Sequence, residues 1–93
     1  MDGNDFYDYF IAPLDAMSDS DLAKLADYAL PKDWYLTQGG RTQTALDVAD
    51  AIYNAYFDTG AADDWGPATF TAWYIDGAIA AKRGRGRTAA VVH

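Results

Sequence analysis

The sequence predicts a mainly α-helical fold, a compact bundle of about four short helices. Three observations predict it. Apolar side chains recur at three- and four-residue spacing in four separate stretches, the period of an amphipathic helix. Pro13, Pro31 and Pro67 fall at the borders of those stretches, where proline ends a helix or opens one. Eighteen alanines and 14 aromatic residues make up most of the apolar content, which suits closely approaching helices with large rings filling the gaps. With 93 residues the chain buries about 64% of its unfolded surface, enough for a single core.

The elements follow in order. Residues 4–12 read as a short helix capped by Asn4 or Asp5, with Phe6, Tyr9 and Phe10 at helical spacing. Pro13 ends or kinks it, and Leu14 to Met17 add one further turn. Residues 19–30 form the next helix. Ser18 with Asp21 makes a start like a capping box, Leu22, Leu25, Ala26 and Ala29 share one face, and Pro31 stops it. Residues 34–43 are left open between a small β-hairpin on Gly39-Gly40 and a plain loop. The strongest helix covers 44–58, capped by Thr42 or Thr44, with Leu46, Ala49, Ile52, Tyr53 and Tyr56 expected inward. Gly60 is placed for a left-handed cap. A last helix opens at Gly66-Pro67 and runs to about 83, with Phe70, Trp73, Tyr74, Gly77, Ala78 and Ala81 as its buried stripe. Gly77 in mid-helix suggests a close helix crossing, and Gly84 is a natural C-cap. The domain reading is one acidic helical domain over 1–83 and a basic, flexible C-terminal tail over 84–93.

Composition excludes much chemistry. There is no cysteine, so disulfides, thiolate metal sites and cysteine catalysis are absent. The one histidine is the last residue, His93, and the two serines, Ser18 and Ser20, serve the start of a helix, so a Ser-His-Asp arrangement lacks its parts. Asp33 and Asp76 sit among aromatics and are the two candidates for a carboxyl with a raised pKa. Asp19-Ser20-Asp21 and Asp63-Asp64 do not match an EF-hand loop, and Gly39-Gly40-Arg41-Thr42 lacks the spacing and lysine of a P-loop. No catalytic residue, cofactor or metal site is expected, and the protein is read as a non-enzyme. No apolar run is long enough to span a membrane. The acidic start MDGNDFYDYF is unlike a signal peptide, so a cytoplasmic location is expected.

The charge is informative. All 14 acidic residues are Asp, and none is Glu. The net −7 divides into −11 over residues 1–81, where the only cations are Lys24, Lys32 and Arg41, and +4 from Lys82, Arg83, Arg85 and Arg87. Asp is the poorer helix former, yet Asp27, Asp47, Asp50 and Asp76 fall in predicted helices. Its short side chain holds charge close to a fixed backbone. Codon drift in a GC-rich genome would also supply Ala, Asp, Gly and Arg, so composition alone leaves selection open. Asp47, Asp50, Asn54 and Asp58 line one helix face over about 16 Å. Lys82-Arg83-Gly84-Arg85-Gly86-Arg87 is similar to an AT-hook core without its following proline. It predicts at most weak, salt-sensitive nucleic-acid binding, which the acidic body would oppose.

In size, acidity and aromatic-rich helical character the chain resembles the small inhibitors that phages and mobile elements carry against CRISPR or restriction systems, several of which mimic DNA. The resemblance implies a stoichiometric, non-catalytic inhibitor whose partner is a basic nucleic-acid-handling protein or complex, in the host cytoplasm. On that reading Asp47, Asp50, Asp58, Asp63 and Asp64 occupy phosphate positions, with Tyr53 and Tyr56 as anchors beside them. The alternative is a structural or oligomeric module, a homodimer included, that uses exposed aromatics while its basic tail contacts nucleic acid or an acidic partner.

Overall fold

A computed structural model describes residues 3–36 and 39–91, with side chains over 4–35 and 39–82. The protein is mainly helical, and no strand occurs among the described residues. The N-terminal arm is one helical rod built of α1 (Gly3–Phe6), a π-helical turn (Tyr7–Ile11) and α2 (Ala12–Asp15). Pro13 explains the π turn. A proline has no N–H for the carbonyl four residues back and its ring crowds that carbonyl. The ladder widens just before it, so that the Ala12 N–H donates to the Tyr7 carbonyl. The helix continues through the proline instead of ending there, and the extra residue leaves Tyr9 exposed while Phe10 and Leu14 are buried.

Helix α3 (Asp19–Ala29) starts where predicted and ends one residue short of the expected 30. The Asp21 N–H donates to Ser18 Oγ at 3.1 Å. Leu30, held extended by the proline that follows, closes it. Leu22, Leu25 and Ala26 are buried. A 3-10 turn, Trp34–Leu36, follows, and α4 (Arg41–Asp58) starts after Gly40. The 34–43 segment thus shows no strand on its described residues: it is a 3-10 turn, the Gly39-Gly40 connection and, from Arg41 to Gln43, the first turn of α4. Thr37 and Gln38 lie outside the described residues.

The predicted cap of α4 needs correction. Gly40 occupies the cap at φ 115°, a backbone region open to glycine. Thr44 lies inside the helix, buried, and its hydroxyl donates back to the Gly40 carbonyl at 3.0 Å. The inward face also differs. Ala45, Val48, Ala49, Ile52 and Tyr56 are buried, whereas Leu46 is 40% exposed and Tyr53 is half-buried. Small Ala45 and Ala49 let α3 and the N-terminal arm approach, and Leu46 falls just beyond that arc. Gly60 has the expected left-handed backbone, φ 81°. A 3-10 turn (Ala61–Asp63) then leads to α5 (Pro67–Val91).

Helix α5 is apolar nearly all round from 67 to 81, with Asp76 as its single charge there, so spacing does not determine which face goes in. Phe70, Thr71 and Ala78 are buried, with Tyr74 and Ile75 half-buried. Relative to the prediction the helix is turned by about a sixth of a revolution at 3.6 residues per turn. Trp73, Gly77 and Ala81 face outward. Gly77 marks no close crossing, because a Cβ built there meets nothing within 4 Å. The helix also runs past Gly84 to Val91. Lysine, arginine and alanine are strong helix formers, and an isolated glycine weakens a helix without blocking it as proline does. Val92 and His93 lie outside the described residues. Among the described residues no helix is long and apolar enough to cross a membrane.

The core is one cluster. Phe10 and Leu14 from the N-terminal arm, Leu22, Leu25 and Ala26 from α3, and the α4 stripe meet Phe70 and Ala78 of α5. Rings continue the packing outward from it. Phe6 stacks on Phe10 at 5.7 Å, Tyr53 meets both edge-on, and Tyr56 contacts Phe70 at 5.2 Å.

A candidate acidic groove and an aromatic corner

None of the 13 described aspartates is buried. Ten are exposed, and Asp5, Asp21 and Asp47 are half-buried. Burial of so many like charges would carry a prohibitive desolvation cost, so the fold turns its acidity outward. On α4, Asp47, Asp50 and Asn54 lie about 180° around the helix from the buried stripe, as their three- and four-residue spacing requires. They form one wall of a groove of about 430 Å³. The other wall comes from the α3–α4 connection, with Leu30, Pro31, Asp33 and Trp34. Asp47 accepts a hydrogen bond from Gln43 Nε2 at 2.9 Å, which holds its carboxylate at the groove.

Asp33 is thus the third carboxylate of this groove, an exposed surface charge and not the buried acid that its aromatic neighbours suggested. Asp76 is exposed as well. Asp58 is exposed at the far end of α4 and does not line the groove. Asp63 and Asp64 lie on the loop beyond it. Tyr53 is half-buried against Phe6 and Phe10. Tyr56 is 4% exposed, and its hydroxyl donates to the Trp65 carbonyl at 2.5 Å, so it supports the interior and presents no anchor to a partner.

Three cations pair with aspartates of the body. Lys24 pairs with Asp21 at 3.6 Å within α3. Arg41 pairs with Asp19 and also donates through Nη2 to the carbonyls of Leu14, Asp15 and Met17. Lys82, the first residue of the basic run, reaches Asp27 of α3 at 3.8 Å. Trp34 Nε1 donates to the same carboxylate at 2.7 Å, so Asp27 joins α3, the 3-10 turn and α5. Side chains at Arg83, Arg85 and Arg87 lie outside the described residues. Among the described residues no three His, Cys, Asp or Glu side chains stand close enough to hold a metal ion.

A second surface escaped sequence reasoning. Trp65 and Trp73 stand edge to face, centroids 5.4 Å apart and planes at 77°, and both are exposed. With Phe70, Thr59, Gly60, Ala61 and Asp64 they enclose a groove of about 290 Å³. Trp73 and Phe70 also border an adjoining groove of about 230 Å³ with Tyr28 and Tyr74. Burial, and secondarily the neighbouring Tyr28 phenol, raise the pKa of Tyr74 above the usual tyrosine value. The spacing of Trp65 and Trp73 was visible in the sequence, but only the outward turn of α5 makes them a surface.

The fold and these surfaces define a small helical protein with an acidic groove and a separate aromatic face. No protein-family model, curated protein or solved structure matches the chain.

Proposed function

We propose that the protein is a stoichiometric, non-catalytic binder that occludes a basic, nucleic-acid-binding surface of a partner protein. The observation that supports this most is the groove at which Asp33, Asp47 and Asp50 converge from two chain segments. Carboxylates fixed on a helix and on a short loop, with little side-chain freedom to lose, present negative charge much as a phosphate backbone does. A body with −11 over residues 1–81 attracts a basic surface at long range and repels nucleic acid itself. Asp58, Asp63 and Asp64 extend the field past the end of α4. Such an inhibitor is the kind carried by phages against CRISPR or restriction systems, acting in the host cytoplasm.

The test is competition. Tagged protein captures its partner from a bacterial lysate, and the identified partner is then offered the protein together with its own DNA or RNA. Binding should weaken steeply with salt, exclude the nucleic acid, and be lost in Asp47→Lys/Asp50→Lys. A ternary complex that retains both, or binding indifferent to salt and to the charge reversal, refutes the proposal. The exposed rings of Trp65, Trp73 and Tyr28 favour a second reading, an interaction module that associates with itself or with another chain through aromatics. A dimer mass in light scattering, unchanged by the aspartate substitutions, would support that reading instead.

A further inference from the structure

We propose that the corner between Trp65 and Trp73 is a binding site for an arginine side chain presented by a basic segment of a partner protein. The site is separate from the acidic groove and does not depend on the occlusion reading.

Three features make the case. The first is shape. Two indoles at 77° form a right-angled notch floored by Phe70, and the groove they border is large enough for a guanidinium and part of its aliphatic stem. The second is charge. Asp64 lines the same groove, Asp63 precedes it, and none of the lining residues is cationic. An indole face attracts a cation, and a planar guanidinium lies flat on one ring while its edge N–H groups reach a carboxylate beside it. An ammonium is more strongly hydrated and lacks that fork, so arginine fits this combination better than lysine.

The third feature is preorganisation. The Trp65 backbone N–H donates to the Ala61 carbonyl at 2.7 Å, and the Trp65 backbone carbonyl accepts from the buried Tyr56 hydroxyl. Gly60 in the left-handed region sets the entry to this turn. Trp73 stands on α5 with its ring against Phe70 at 5.7 Å. The backbone that carries both walls is therefore fixed before any ligand arrives, and each ring also packs on Phe70 and on the other, which reduces the freedom to be lost on binding.

The experiment uses the full chain and the indole N–H signals of its three tryptophans in a ¹H–¹⁵N spectrum, titrated with N-acetyl-arginine amide. Trp65 and Trp73 signals should move together and saturate. Trp34, whose indole N–H is committed to Asp27, should keep its ligand-free position in each variant and report that the variant is folded. The uncharged, isosteric N-acetyl-citrulline amide should produce no shift. Trp73→Leu should weaken binding about fivefold or more, and Asp64→Asn about threefold. Three outcomes overturn the proposal. Citrulline shifting the signals as arginine does would make the corner a plain apolar groove. Shifts that persist in Trp73→Leu would place the ligand elsewhere. Signals that move with protein concentration alone, and cease to in Arg85→Ser/Arg87→Ser, would make the occupant the basic end of a second copy.

Discussion

Replacing Arg41 with alanine tests whether one side chain holds the N-terminal arm, α3 and α4 together. The guanidinium starts at the first residue of α4, where a cation opposes the helix dipole, yet it reaches the end of α2, where the last carbonyls lack the full set of i+4 partners and Leu14 accepts only short-range bonds such as that from the Met17 N–H. Nη2 lies 3.0 Å from the Leu14 carbonyl, 3.3 Å from that of Asp15 and 2.5 Å from that of Met17, while Nη1 binds Asp19. One nitrogen carries two protons, so its three carbonyls count as two hydrogen bonds at most. A hydrogen bond to a charged donor contributes about 1.5–3 kcal/mol, and carbonyls near the surface recover part of that from water when the donor is lost. The Asp19 side chain is 90% exposed, so the ion pair adds about 0.5 kcal/mol. Relief at the α4 dipole returns a similar amount. The net expectation for Arg41→Ala is a loss of about 2 kcal/mol, or roughly 8–16 °C in Tm for a domain of this size. Arg41→Lys should recover less than half, since one ammonium cannot span the carboxylate and the three carbonyls. Asp19→Asn should cost under about 1 kcal/mol. Urea unfolding followed by far-UV circular dichroism gives all three values at a common slope. If Arg41→Ala costs no more than Asp19→Asn, the carbonyl contacts contribute nothing and the anchoring argument fails.

Three further outcomes are expected. Gly77→Ala should raise stability by about 1 kcal/mol, since it gains helix propensity in open space; a loss in thermal unfolding would mean that the position is crowded after all. Thr71 is buried and its hydroxyl has no hydrogen-bond partner among the described residues, so Thr71→Val should stabilise by about 1 kcal/mol, and urea unfolding showing destabilisation would reveal a hidden partner. The raised pKa of Tyr74 means that the unfolded chain ionises first as pH rises. Its contribution is intact below about pH 10, the unfolded value, and is lost as pH climbs through the higher folded value. Denaturation across that window should show a shallower decline in Tyr74→Phe than in the parent.

The parts of the fold legible in the sequence are those governed by local chemistry. Ser18, Pro31 and the Leu22/Leu25/Ala26 face define α3 without reference to anything else, and the glycine at 60 marks the end of α4. What spacing leaves undetermined is rotation. On α4 both Leu46 and Val48 satisfy a helical period, and the choice between them rests on how closely α3 and the N-terminal arm approach. The π turn was hidden because its cause, Pro13, admits two outcomes, a break or a widened ladder. Arg41 was silent because three of its partners are backbone carbonyls, which carry no sequence signal. The Asp47/Asp50/Asn54 line was readable, whereas the arrival of Asp33 opposite it depends on the path of the α3–α4 connection.

Helix α5 shows how the core and the second surface are linked. Thr71 and Ala78 are small and fully buried, and a Trp73 turned inward would need room that this packed face does not have. The 57%-exposed Trp73 is therefore the counterpart of a tight interior, not a failure of burial. Left outside, it meets Trp65 only because the 61–65 turn is tied back through the Tyr56 hydroxyl. The acidic groove draws on the middle of α4 and the corner on the loop past its end and on α5, with no lining residue in common, so the two surfaces are physically separable. Charge reversal at Asp47 and Asp50 should leave the Trp65 and Trp73 indole signals in place, and Trp73→Leu should leave salt-dependent capture of a basic partner intact. If either substitution disables both, the two surfaces form one site.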